Sequence, residues 1–407
     1  MSFWVRRALL VMLSMVYVAV SVVPAWHALQ GNQHAKDWAS YHYAVKVLAA
    51  GGEPYALSAL EQAAVADSFG QTVYPFLYPP PFLLSVWWMA PLTADWSRDL
   101  FFVINQLAWP GLLVVLWCWF RANPIALAII AITLTPITHA GRLGQVNGVV
   151  ALLVTLALWR RGGVLLSLAA MIKMSPALYL PVWMAQRHWK GVCAAVLGAV
   201  GLSVLALCVV PLSSQLVFYQ ELLPGFSSGG YNGLSVPISL PANHSIPSAL
   251  DALWPGPDEH TLSPSVRRVV SGLLLGGLAV AAWGSRRKLD VLAEANLLGA
   301  VTVWLVVLPV FAYEHHLSLL VLPVAALATA LLDHRLPRWA WGPALLGYAG
   351  VAWPLAGFRQ ALRQAPQWAG WIQESKLLAA LLLMALCAWV VVRSGGAVLA
   401  EASEGES

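Results

Sequence analysis

Charge is what this sequence has least of. Only 10% of its 407 residues are charged, against roughly 25% in ordinary soluble domains. A soluble body of this size could not cover its surface with so few charges, so lipid must cover the rest. Cysteine is also sparse. Cys118, Cys193, Cys208 and Cys387 each sit inside an apolar run, where they read as small buried hydrophobes and offer no metal-binding spacing. A third absence is local: residues 212–265 contain no Lys or Arg. The net charge of +5 does not point to nucleic acid, because the basic residues gather at the ends of apolar runs.

Apolar residues make up 59% of the chain, and Trp, which settles at bilayer interfaces, occurs 21 times. Runs of spanning length lie at about 8–28, 100–120, 124–140, 148–159, 191–211, 267–284, 291–312, 316–332, 338–357 and 377–393, with shorter ones at 80–92 and 164–185. They predict an all-α polytopic membrane protein with about ten to thirteen crossings, each helical because unpaired backbone in hydrocarbon is costly. The first run follows Arg6-Arg7 and is read as an uncleaved helix rather than a signal peptide.

Arg6-Arg7, Arg160-Arg161, Arg187 with Lys190, Arg286-Arg287-Lys288 and Arg335 with Arg338 mark the cytoplasmic side. Two long polar loops, about 29–80 and 212–265, then face outward. One transmembrane domain is expected over 1–393, followed by a short, acidic, disordered cytoplasmic tail over 394–407. Two places resist this scheme. Residues 164–185 are flanked by basic clusters on both sides, which a helix broken around Lys173 and Pro176 would resolve. Residues 358–376 should be outside yet carry Arg359, Arg363 and Lys376.

Several polar groups stand out against this background. Asp37 lies where the chain leaves the first span, ahead of an amphipathic stretch containing Tyr41 that Gly51-Gly52 should end. It is either an N-cap or a functional acid. Tyr78-Pro79-Pro80-Pro81 forms a rigid lead into the next run. Arg142, Gln145 and Asn147 sit among three glycines between two apolar helices, and Arg suits phosphate. Lys173 stands alone in an apolar run, which makes it a functional candidate by default. His315 and His316 end a span on the expected outer side. Adjacent histidines point different ways on a helix, so hydrogen bonding to phosphate or sugar fits them better than a shared metal, and no metal is expected. The second loop holds Asn243-His244-Ser245, formally a glycosylation acceptor.

An outer acid, phosphate-capable groups near the membrane and long outer loops fit sugar transfer from a lipid phosphate. The acceptor hydroxyl then needs a base, and the leaving phosphate needs cations or hydrogen-bond donors. Taken together, the Asp37 loop with Gly52-Glu53-Pro54-Tyr55, Tyr78-Pro79-Pro80, Gly144-Gln145-Val146-Asn147, the Lys173 run, Asn243-His244-Ser245 and His315-His316 resemble glycosyltransferase family 87. The resemblance covers about residues 35–330. It departs at His244, where the family form would have Gln. It implies a GT-C-type fold with interfacial helices in the first outer loop, in a bacterial plasma membrane, with the site on the extracytoplasmic face. It implies inverting transfer of a hexose, mannose above all, from a polyprenyl-phosphate donor to a lipid or glycan acceptor, with no cofactor. Asp37 becomes the general base. Lys173, Arg142, His315, His316, Gln145 and Asn147 become donor-site residues, and Tyr41, Tyr78, Asn243 and His244 acceptor or loop contacts. Two rivals fit less well. Glycan ligases and polymerases favour arginines in such a loop, and transporters show repeats and mid-membrane charges.

Overall fold

A computed structural model describes residues 3–30, 35–234 and 236–404. The described residues are helical or loop, with a single isolated bridge between Asp258 and Thr261. The all-α expectation holds. Among the described residues six helices are long and apolar enough to cross a membrane: Arg7–Gln30, Ala94–Phe120, Trp189–Ala206, Pro264–Gly284, Glu314–Leu332 and Pro366–Ser394. The pair Pro124–Thr133 and Thr135–Leu143, bent by 55°, makes a seventh.

That count is below the ten to thirteen expected, and the reason is breakage. The run at 80–92 folds as a six-residue helix, Pro80–Ser85, followed by a single 3-10 turn. The run at 291–312 stops at Val307. Asn147–Arg160, Gly163–Ile172 and Val291–Val307 are apolar but short. Proline supplies one cause, since it removes a donor and clashes with the preceding turn.

The break foreseen near Lys173 is present. Helix Gly163–Ile172 ends there, with Lys173 extended at φ −142°, and a 3-10 turn over Ser175–Tyr179 follows. The last helix runs from Ala369 through Glu404, across the start of the expected tail, while residues 405–407 lie outside the described residues.

Residues from two of the basic clusters reach the start of helix Val291–Val307. Arg161 pairs with Glu294 at 2.8 Å, Gln186 donates to the same carboxylate at 3.1 Å, and Arg335 pairs with Asp290 at 3.0 Å. The two long loops also come together. Asn232 donates to the carbonyls of Tyr55 and Phe76, and Ser214 donates to Glu53 at 2.6 Å. One hydrophobic core runs from Ala25 to Val390, and a smaller one of Ile238, Leu262, Val266, Val310 and Phe311 lies beneath the second loop.

Candidate active site

The amphipathic stretch after the first span folds as helix Lys36–Ala49, followed by Gly51 at φ +80°, a left-handed turn that glycine adopts freely. Asp37 is the second residue of this helix, and no side chain caps its start. The N-cap reading is therefore corrected: the carboxylate sits in the first turn, where the helix dipole favours it, but it does not hold the helix end.

Opposite Asp37 lies the turn between helices Thr135–Leu143 and Asn147–Arg160. Gly144 makes the turn at φ +67°, and a Cβ there would stand 2.5 Å from the Cβ of Trp38. Only glycine lets the helix that carries Asp37 approach this closely. The closeness brings Gln145 beside the acid, where its side chain favours the ionised carboxylate. Its Oε1 lies 3.3 and 3.4 Å from the Tyr41 and Tyr78 hydroxyls and accepts from whichever of them does not donate to the other, and its Nε2 lies 3.3 Å from His315 Nε2. The two phenols bond each other at 2.7 Å. Burial raises both phenols well above their usual range, so they remain protonated donors. Gln145 is thus a hub that joins Tyr41, Tyr78 and His315 beside the acid.

Behind this hub, Lys173 Nζ donates to Asn147 Oδ1 at 2.9 Å, and Asn147 Nδ2 donates to the His315 carbonyl at 2.6 Å. Asn147 is fully buried and ties the broken helix at Lys173 to the histidine segment. That segment is a 3-10 helix, Glu314–Leu320. Its two imidazole centroids are only 4.2 Å apart and both rings line the same cavity, so the expected divergence of the pair does not occur. The Tyr313 N–H donates to His316 Nδ1 at 3.0 Å, which leaves Nε2 to carry the proton of a neutral ring.

These groups surround one cavity of about 1520 Å³. Lys36, Asp37, Tyr78, Arg142, Gln145, Lys173, His315 and His316 all line it. Its walls come from both long loops, from the Gly144 turn, from the break at Lys173 and from the start of the Glu314–Leu332 span. Burial pushes the Asp37 carboxyl up to about 6, against the Gln145 side chain and the charges of Lys173 and Lys36, which pull it down. A carboxylate poised near neutrality is suited to accept a proton. Among the described residues no cluster of His, Cys, Asp and Glu could hold a metal ion.

Four expected site residues stand behind the wall rather than in it: Tyr41, Asn147, Asn243 and His244. Asn243 is fully buried. It donates to the carbonyls of Ile238 and Val310 and accepts the Ala312 N–H, all within 2.9 Å, while the His244 N–H donates to the Ala312 carbonyl and Ser245 Oγ to Val310. Asn-His-Ser is a clip that fixes the segment leading to the histidines. Contact with an acceptor is corrected for Asn243, and a glycan cannot be attached to it in this fold.

Sequence reasoning missed the support of that segment. Glu314 and Lys376 form a buried ion pair at 3.0 Å, and Lys376 also donates to the carbonyls of Val351 and Trp353. His244 Nε2 stands 3.7 Å from Glu314, beyond a hydrogen bond. One signal was available: Lys376 was among the basic residues on the wrong side of the expected topology.

The family profile for glycosyltransferase family 87 matches residues 76–309, more than half of the chain. The chain belongs to that family. It is a membrane-embedded glycosyltransferase. No curated protein and no solved structure matches it. The matched stretch carries Tyr78, Arg142, Gln145, Asn147 and Lys173 of this glycosyltransferase, while Asp37 and the His pair lie outside it. Those three residues enter the site through the fold.

Proposed function

We propose that this glycosyltransferase moves a hexose, mannose above all, from a polyprenyl-phosphate donor to a hydroxyl of a lipid or glycan acceptor, with inversion, at the extracytoplasmic face of a bacterial plasma membrane. The observation that carries the reading is the meeting of one near-neutral carboxylate, Asp37, with Lys173, Arg142 and the His pair around a single cavity under two polar loops.

The chemistry divides between the two kinds of group. The acceptor hydroxyl has a pKa far above 7, so its proton must leave as its oxygen attacks, and the Asp37 carboxylate takes that proton. The oxygen bonds to the anomeric carbon on the face opposite the phosphate, and the bond from that carbon to the phosphate oxygen breaks. The departing polyprenyl phosphate carries off the electron pair. Lys173 and Arg142 offset the charge that develops on it, and the Nε2–H of His316 is a suitable donor to it. Gln145 holds Asp37 in register through its contacts with Tyr41 and Tyr78.

Asp37→Asn keeps the shape and removes the base. Transfer from polyprenyl-phosphate mannose by the purified variant should fall roughly 10²–10⁴-fold with donor affinity little changed. Turnover near wild type would reject Asp37 as the base.

A further inference from the structure

Two arginines stand where membrane topology gives no reason for them. Arg267 follows the loop that has no Lys or Arg, and it begins the helix Pro264–Gly284, whose far end reaches Arg286-Arg287-Lys288. Arg359 follows the helix Trp341–Ala352, which starts just after Arg338. Both therefore lie at the end of the bundle opposite the basic clusters, against the usual bias. Arg267 is also in the first turns of its helix, where the dipole disfavours a cation. Its Nε is buried without a hydrogen-bond partner, and among the described residues neither arginine has an ion-pair partner.

Both arginines line the cavity of the candidate site. The cavity walls carry five Lys and Arg residues, Lys36, Arg142, Lys173, Arg267 and Arg359, and two carboxylates, Asp37 and Glu314. Glu314 is committed to Lys376 outside the cavity. A donor phosphodiester brings one negative charge, which together with Asp37 leaves the surplus cations unmatched. The face that Arg267 begins adds the shape of a ligand. Arg267, Val270, Ser271 and Leu274 all line the cavity, at the spacing of one helical face, so that below the cation the wall is aliphatic at Val270 and Leu274 with one hydroxyl, Ser271, between them.

We propose that Arg267 and Arg359 form a second phosphate subsite, which holds the anionic group of the acceptor, while Lys173 and Arg142 hold that of the donor. The proposal rests on the donor reading above. The excess of positive charge and the mainly aliphatic wall below Arg267 suit a phosphate attached to a hydrocarbon chain. A soluble phosphorylated glycan offers the same charge without the chain.

The test uses the full chain purified in neutral detergent, with citronellyl phosphate, a soluble isoprenoid monophosphate, as the probe. Wild type should show two classes of site. Lys173→Met should lose one, and Arg267→Gln and Arg359→Gln should each weaken the other at least tenfold. Retention of the Lys173-dependent class in the arginine variants also shows that they fold. A single class in wild type, or arginine variants that weaken only the Lys173-dependent class, overturns the proposal and leaves the donor reading intact. An unchanged Lys173→Met profile counts against the donor reading instead, and the arginine-dependent class then decides this proposal by itself.

A second arm supplies labelled polyprenyl-phosphate mannose with membrane lipids separated by anion exchange, and with the aqueous glycans. Label in the anionic lipids supports the proposal with a lipid acceptor. Label in aqueous phosphorylated glycans supports it with a soluble one. Label in neutral lipids alone overturns it.

Discussion

Lys173→Met perturbs the proposed mechanism at two points at once, and the two effects are separable. Lys173 Nζ is held by Asn147 at 2.9 Å on the cavity wall. Methionine keeps most of the volume and removes the charge. A charge-assisted hydrogen bond to a phosphate contributes about 1.5–3 kcal/mol, so KM for the donor should rise roughly 10–150-fold. The second effect reaches Asp37. Its carboxyl is pushed up to about 6 by burial, and Lys173 is one of two cations that pull it back down. A base must be deprotonated to act. In wild type, therefore, kcat/KM should rise with pH about tenfold between pH 5 and 7, because a group of pKa about 6 goes from roughly one-eleventh to ten-elevenths ionised. Without Lys173 the carboxyl rises further, and the limb moves to higher pH. The assay is transfer from polyprenyl-phosphate mannose by protein in nanodiscs, with pH varied at several donor concentrations. A variant with raised KM and an unmoved limb would break the link between Lys173 and Asp37. An unmoved limb and an unchanged KM together would refute the whole electrostatic account.

Other parts of the structure carry their own expectations. Asn243→Ala leaves the buried Ala312 N–H without its partner and takes one of two donors from each of the Ile238 and Val310 carbonyls, which keep Ser248 and Ser245. At about 1–3 kcal/mol for the orphaned N–H, thermal unfolding in detergent should come at lower temperature, and an unchanged midpoint would contradict the clip. Cysteines placed at Glu61 and Asp258 in a cysteine-free background should both react with an impermeant thiol reagent in intact cells. Reaction of only one would put the two loops on different sides of the membrane.

Much of this was legible in the sequence because it depended on local chemistry. The scarcity of charge gave the solvent, and Gly51-Gly52 gave the end of helix Lys36–Ala49. Lys173 beside Pro176 gave a broken helix, since an isolated cation in an apolar run asks for an opening in the span. The candidates Asp37, Tyr78, Arg142, Gln145, Lys173, His315 and His316 do line one cavity. What escaped depended on residues far apart in the chain. Glu314 and Lys376 are 62 residues apart, and neither alone announces a buried pair. Asn243 looked like a ligand contact because nothing local shows that its amide serves the backbone of residues 310–312. The crossings were overcounted because an apolar run says that a segment is buried, and not whether it stays one straight helix. Arg359 and Lys376 were visible as topological misfits; Lys376 pairs with Glu314, and Arg359 lines the cavity.

The central claim is that one cavity holds the donor phosphate and the general base on opposite sides of the reacting carbon. An experimental structure of Asp37→Asn protein with bound polyprenyl-phosphate mannose tests it most directly. The account predicts the phosphate within hydrogen-bond reach of Lys173 Nζ and His316 Nε2, with the anomeric carbon between that phosphate and the side chain at position 37. A donor bound with its phosphate away from Lys173, or with residue 37 and the phosphate on the same face of the sugar, would contradict it.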